Sequence, residues 1–168
     1  MMEELDYLGI FKEFNKKKIK YIVCGGIAVN LLGIPRMTYD LDLLLKLENE
    51  NLNKFVKLME RLGYKAKIPV DIEDFTKKKK RDDWIKNKDM KAFCLVNPKA
   101  TVKEIDIVID SPVTYDKAIT NTKKIKLQRM RIPVIGIKDL IKMKKKSGRK
   151  QDYSDIRYLE VKLEEQKK

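Results

Sequence analysis

The chain has no histidine among its 168 residues. That excludes Ser–His–Asp and Cys–His nucleophilic catalysis, H-E-x-x-H zinc sites and imidazole proton shuttling. Thiols are scarce too, with Cys24 and Cys94 the two cysteines. Both fall in strand-like runs, Y-I-V-C and A-F-C-L-V, where a free thiol packs as a small core residue. A disulfide between them is left open by the sequence. No apolar run approaches the ~20 residues that a bilayer span needs. The start, Met1-Met2-Glu3-Glu4, is acidic where a secretory leader is basic. The expected location is the cytoplasm, with no membrane partner.

Acidic side chains are the under-represented charge, 25 against 39 Lys and Arg, for a net charge of +14. The excess is concentrated: residues 123–150 hold twelve Lys and Arg and a single acid, Asp139. Clustered positive charge favours polyanionic partners, such as nucleotides or nucleic acid. A solvated Lys-rich surface explains it equally well. Apolar content of 43% is ordinary for a folded chain. At this length about 70% of the unfolded surface is buried on folding, so no staple of disulfide or zinc is needed.

Periodicity predicts an amphipathic helix over 3–16, then a strand over 20–24 that stops at Gly25-Gly26. A short apolar helix follows over 27–32, closed by Gly33 and Pro35. A second strand spans 39–45, and 51–62 is a helix ended by Gly63. The stretch 65–90, with Lys77-Lys78-Lys79-Lys80-Arg81 followed by Asp82-Asp83, reads as a loop or frayed hairpin. Strands over 92–96 and 104–110 are joined by an Asn97-Pro98-Lys99 turn. A helical turn near 116–120, extended pieces at 124–127 and 131–134, and helices over 138–146 and 152–164 complete the chain. The fold class is α+β, a mixed sheet with helices packed on it.

The chemistry concentrates in Y-I-V-C-G-G and Y-D-L-D-L-L-L. Side chains alternate along a strand, so Asp40 and Asp42 share a side. Two close carboxylates repel unless a cation lies between them, and oxygen donors of this kind suit Mg²⁺ or Mn²⁺. In E-I-D-I-V-I-D, Ile105, Ile107 and Ile109 take the core face. If this strand lies beside the first, Asp106 supplies a third carboxylate, with Glu104 and Asp110 as alternatives on the same face. Three such groups on neighbouring strands suit a metal site that activates a hydroxyl and steadies a leaving pyrophosphate. Glycines at a strand-to-helix turn allow close approach of a triphosphate. Trp84 and Phe93 either stack a base or pack in the core.

Gly25-Gly26, thirteen residues, then Asp40-Leu41-Asp42-Leu43 resembles the signature of the DNA polymerase beta-like nucleotidyltransferase superfamily. The intervening Arg36-x-Thr38-x-Asp40 is similar to its small bacterial and archaeal branch, which includes antibiotic nucleotidyltransferases, AbiEii-type toxins and minimal nucleotidyltransferases. Asp139-Leu140-Ile141, Lys144, Gly148-Arg149, Asp152 and Asp155 resemble that branch's late pattern. The likeness runs in patches over residues 18–160.

It implies a single nucleotidyltransferase-like domain over 1–168, with a core to about 135 and a helical part from about 136. It implies a metal-dependent enzyme that moves a nucleoside monophosphate from a nucleoside triphosphate to a hydroxyl and releases pyrophosphate. The acceptor would be RNA such as tRNA, a partner protein or a small molecule, the basic 123–150 segment tilting the choice toward RNA or a bulky anionic acceptor, and a toxin–antitoxin role is one setting. Asp40, Asp42 and Asp106 would bind Mg²⁺ or Mn²⁺, and Asp106 would help deprotonate the acceptor. Gly25 and Gly26 would hold the triphosphate, Arg36 and Thr38 would shape its site, and Lys144 would reach the phosphates. Arg36 could instead neutralise the aspartates. Arg149, Asp152 and Asp155 are explained by helix capping as well as by catalysis. A non-catalytic binder that retains the fold is the alternative, disfavoured because all three carboxylates are present. A nuclease-like metal site ranks last, since it leaves Gly25-Gly26 unexplained.

Overall fold

A computed structural model describes residues 6–168. Its sheet has seven strands in the order β3-β4-β5-β2-β1-β7-β6: β1 Tyr21–Cys24, β2 Leu41–Leu45, β3 Lys65–Ala66, β4 Ala92–Val96, β5 Glu104–Val108, β6 Lys123–Leu127 and β7 Met130–Val134. The helices are α1 Tyr7–Lys16, α2 Gly25–Leu31, α3 Asn49–Arg61, α4 Lys78–Lys88, α5 Tyr115–Ala118, α6 Ile137–Ser147 and α7 Lys150–Gln166. The class is α+β, as the sequence pattern predicts. The expected start of the first helix at Glu3 lies outside the described residues. Within them α1 begins at Tyr7, where the Asp6 carboxylate accepts from the Gly9 N–H at 2.8 Å.

The sheet is mixed. β2 and β5 run parallel, as do β1 and β7, while β1–β2, β4–β5, β3–β4 and β6–β7 are antiparallel. Strand alternation then sorts side chains into two cross-strand rows. Phe93, Ile107, Leu43 and Val23 stand in register across β4, β5, β2 and β1, and all four are fully buried. The next row across the same strands is Cys94, Asp106, Asp42 and Cys24. One face of the sheet is thus core, while the other carries the carboxylates beside a second buried pair, Ile22 and Leu44.

An aromatic train fills the core on the first face. Phe14 packs edge-on to Tyr21 and tilts against Phe55, and Phe55 meets Phe75. Phe93 lies stacked between Phe75 at 4.9 Å and Trp84 at 5.1 Å. Trp84 and Phe93 are thus core residues, and of the two sequence readings the packing one holds. No helix of the described residues is long and apolar enough to cross a membrane.

The 65–90 stretch departs from expectation. It holds β3, a 3-10 turn over Ile72–Thr76 and α4, where the sequence suggests a loop or frayed hairpin. Helix α4 lacks a long apolar stripe because Trp84 and its neighbour Ile85 are its only apolar side chains, both set against the core. Trp84 enters the core, and buried Arg81 donates to the Phe75 carbonyl at 2.8 Å and lies over the Phe75 ring. Its outer face is charged and held by local pairs such as Lys78–Asp82 at 2.6 Å. Strand β2 also starts at Leu41, two residues later than the sequence pattern suggests, which leaves Asp40 just outside the ladder.

Replacing Phe93 by Ala removes the middle ring of this stack. The expected cost is about 3–5 kcal/mol, read from urea denaturation. Nucleotide affinity of the fraction that remains folded should match wild type, because the ring faces away from the carboxylate row.

Candidate active site

The site is built on β1, α2, β2 and β5. Parallel pairing sets Asp42 opposite Asp106, and antiparallel pairing sets Cys24 opposite Asp42. These residues line a cleft of about 430 Å³ together with Gly25, Lys91, Asp110, Lys144, Lys146, Arg149 and Asp152. The volume lies in the range of small-molecule and cofactor sites.

Gly25 and Gly26 open α2, and the structure gives their small size a local reason. Gly25 has φ +65°, and a Cβ there would collide with the Asp42 carboxylate. A Cβ on Gly26 would lie 2.6 Å from the Thr38 hydroxyl and 3.2 Å from the Arg36 guanidinium carbon. The glycine pair lets the 36–42 segment lie directly against the start of α2. That close approach is a separate demand from any room left for phosphate.

The carboxylates are crowded. The Asp42 carboxyl is pushed up to about 7, first by burial and then by Asp106 and Asp40, against the pull of Arg149 and Lys144. Asp40 is also raised, by burial and by the charges of Glu104 and Asp106. The donor atoms that converge within 4.8 Å of one another are those of Cys94, Glu104 and Asp106, so Asp40 and Asp42 stand outside that tightest group. Glu104 is held by Lys67 at 3.1 Å. Asp110 is tied to Lys146 at 2.9 Å and to Lys91 at 3.3 Å, and the Lys146 bond chiefly lowers its pKa. Asp110 is therefore ion-paired, whereas among the described residues Asp42 and Asp106 have no ion-pair partner.

A fit to divalent metal can be judged from this donor set. The groups are hard carboxylate oxygens with no imidazole, the ligand type of Mg²⁺ and Mn²⁺. A carboxyl held near 7 beside two others marks negative charge that a cation would relieve. The residues present fit such an ion.

Arg36, Lys144, Asp152 and Asp155 form a buried ion network. Lys144 Nζ donates to Asp155 at 2.9 Å and to Asp152 at 3.2 Å, and Arg36 pairs with Asp155 as well. Gly148, with φ +66°, turns the chain between α6 and α7. Asp152 can then accept from the Arg149 N–H at 3.2 Å and cap α7. For Asp152 the capping reading is what the geometry displays. Asp155 joins the loop before β2 to the C-terminal helices. Lys144 has two of its three ammonium donors engaged, which leaves one directed elsewhere.

Cys24 is buried and Cys94 half-buried, and both are free. They are three strand spacings apart across the sheet, roughly 14 Å, so no disulfide can join them. The Cys24 thiol is pushed well above its usual value by burial and by Asp42, and that of Cys94 by burial and a bond to Asp106.

A family model, aminoglycoside-2''-adenylyltransferase, matches residues 7–159. The chain belongs to this family. It is a nucleotidyltransferase.

Solved structures share its fold. The lincosamide antibiotic adenylyltransferase LnuA, bound to lincomycin, has a TM-score of 0.60 at 18% identity, over 94% of this chain and 98% of its own. ANT(2'')-Ia in complex with adenylyl-2''-tobramycin has a TM-score of 0.57 at 13% identity, over 92% of this chain and 85% of its own. TM1012 from Thermotoga maritima has a TM-score of 0.53 at 13% identity, over 93% of each chain. No curated protein matches the chain in sequence. The small nucleotidyltransferase branch that the motifs resemble is thereby established.

Within this nucleotidyltransferase, the structure brings Asp42, Asp106, Gly25 and Lys144 to one cleft and places Arg36 and Thr38 against Gly26. Asp40 sits at the entrance to β2, within electrostatic reach of Asp42 and Asp106. Sequence reasoning missed Cys94, Lys91 and Lys146 as neighbours of the site. Alternation in A-F-C-L-V puts Cys94 on the face opposite Phe93, which was a usable signal. Lys91 directly precedes β4, so the expected pairing of 92–96 with 104–110 was a usable signal for it too, whereas Lys146 carries none, because only the placement of α6 brings it to Asp110.

Two stability effects follow. A carboxyl whose folded pKa lies above its unfolded value favours the native state at low pH, and that benefit is lost as pH rises from about 4 to about 7. Asp42→Asn removes this dependence. In metal-free buffer with chelator the variant should melt several degrees above wild type at pH 8, with the gap closing toward pH 4. Lys144→Met removes the cation that Asp152 and Asp155 share, leaving each only its arginine partner, Arg149 and Arg36, and should cost up to about 3–5 kcal/mol by chemical denaturation.

Proposed function

We propose that this nucleotidyltransferase transfers the adenylyl group of ATP to a hydroxyl of a small antibiotic-like molecule, in a reaction that depends on Mg²⁺ or Mn²⁺. The observation that carries the reading is the in-register pair Asp42 and Asp106, beside Gly25 in a cleft of about 430 Å³. The family match supports adenine as the base and a small molecule as the acceptor.

On this reading Asp40, Asp42 and Asp106 hold the divalent ion, which when bound neutralises triphosphate charge and makes the acceptor hydroxyl more acidic. Asp106 takes the proton of that hydroxyl. The freed oxygen forms a bond to the α-phosphorus as the bond to the bridging oxygen breaks, and pyrophosphate leaves. Gly25 and Gly26 line the triphosphate's path with backbone N–H groups. Arg36 and Thr38 brace that turn from the side of Gly26. Lys146 and Arg149, exposed on the cleft wall, turn the donors not spent on Asp110 and Asp152 to phosphate oxygens, and Lys144 adds its remaining donor. Catalysis is mainly positioning and charge stabilisation.

Among the acceptors that the sequence admits, the small molecule is preferred over RNA and over a partner protein. The basic 123–150 segment, which first suggested RNA, is partly self-neutralised. Lys144, Lys145, Lys146 and Arg149 are paired with Asp155, Glu160, Asp110 and Asp152. Its β6–β7 hairpin lies at the far edge of the sheet, separated from β2 by β1.

The test has two parts. Each of the four ribonucleoside triphosphates is titrated with and without Mg²⁺ or Mn²⁺, and pyrophosphate release is then followed with ATP and lincomycin, tobramycin or tRNA. ATP should bind in a metal-dependent way, and a small acceptor should release pyrophosphate. Asp42→Asn and Asp106→Asn should each lower turnover by at least about 100-fold while remaining folded. Triphosphate binding that is equal with and without metal, and unchanged in an Asp40→Asn/Asp42→Asn variant, would sink the reading.

A further inference from the structure

Residues 32–40, between α2 and β2, bring Arg36, Thr38 and Asp40 to the site without belonging to a strand. The Ile34 N–H closes onto the Val29 carbonyl at 3.1 Å. Beyond that point side chains hold the segment. The Arg36 N–H donates to Asn30 Oδ1 at 3.0 Å, and Arg36 Nε donates to the Met37 carbonyl at 3.3 Å. Asp155 clamps the Arg36 guanidinium. The Tyr7 hydroxyl donates to the Tyr39 carbonyl at 2.6 Å.

That last bond has a particular location. It falls on the peptide unit joining Tyr39 to Asp40, one residue before the ladder begins. A peptide unit is planar, so fixing the Tyr39 carbonyl fixes the orientation in which the chain enters Asp40. The side chains of Met37 and Tyr39 are themselves 74% and 71% exposed, so they contribute little packing to hold this stretch. The donor, by contrast, sits on a firm base. Tyr7 is the first residue of α1, which is capped by Asp6 and anchored in the core by Ile10, Phe11 and Phe14. Its phenol is also close enough to Asp40 and Asp42 to feel both charges.

We propose that Tyr7 is a positioning residue for Asp40, holding through the Tyr39 carbonyl the orientation in which Asp40 binds a divalent cation. The inference rests on Asp40 being a ligand of that cation, as proposed above. Groups that orient metal ligands are a recognised determinant of affinity, and their loss costs about 10–100-fold in metal binding. Nothing in the sequence marks Tyr7, which reads as one more half-buried residue of an amphipathic helix.

The experiment is Mn²⁺ titrated by calorimetry into the full chain, for wild type, Tyr7→Phe, Asp6→Ala and Asp40→Asn/Asp42→Asn, with a melting curve for each. Tyr7→Phe keeps the ring and should weaken Mn²⁺ binding by about 10-fold at nearly unchanged Tm. Asp6→Ala removes the α1 cap, so it should lower Tm and leave Mn²⁺ affinity as in wild type. Wild-type Mn²⁺ affinity in Tyr7→Phe overturns the proposal. So does an Asp6→Ala variant that loses as much affinity as Tyr7→Phe, since Tyr7 would then act only by steadying α1. Full affinity in the double aspartate variant would instead overturn the metal site itself.

Discussion

Parallel pairing of β2 with β5 is the constraint from which the site follows. It sets Asp42 opposite Asp106 at the distance of neighbouring strands, with hydrophobic core on the reverse face. Moving β5 by one residue would turn Ile105 and Ile107 to the cleft and bury Asp106. The core therefore enforces the register that the chemistry needs. Leu43, Ile107, Phe93 and Val23 form a row that tolerates no slip, and the carboxylate row is its consequence.

Charge is managed differently in two neighbouring places. In the cleft, Asp42 and Asp106 have no ion-pair partner among the described residues, and burial, with Asp106 and Asp40 beside it, holds the Asp42 carboxyl near 7. A short way off, Lys144 and Arg36 compensate Asp152 and Asp155 in a buried network. The compensated aspartates join α6, α7 and the loop before β2. The uncompensated ones are left where a cation and a triphosphate can use them. A carboxylate cluster that is destabilising without a cation and a buried ion network that breaks badly when cut are two outcomes of the same desolvation penalty.

The glycine pair shows how one motif can answer two demands. Gly25 and Gly26 are small because Asp42 and Thr38 lie against them, and the positive φ at Gly25 bends the chain from β1 into α2. Any larger residue there would push the 36–42 segment away and take Asp40 and Asp42 with it. The spacing between G-G and D-L-D in the sequence is thus the length of chain needed to leave α2 and return antiparallel beside β1.

What the sequence determined by itself was local and periodic. Alternation placed Ile105 and Ile107 in the core and Asp106 opposite them, and the G-G and D-L-D motifs identified the nucleotidyltransferase branch. Pattern failed where burial is not periodic: α4 sets only Trp84, Ile85 and the Arg81 stem against the core, so a helix of lysines read as a loop or frayed hairpin. Only the tertiary structure decided that Lys144 is tied to Asp152 and Asp155, that Lys146 meets Asp110, and that Tyr7 reaches the Tyr39 carbonyl 32 residues along. Each of these contacts depends on how helices dock on the sheet, which side-chain spacing along the chain does not encode.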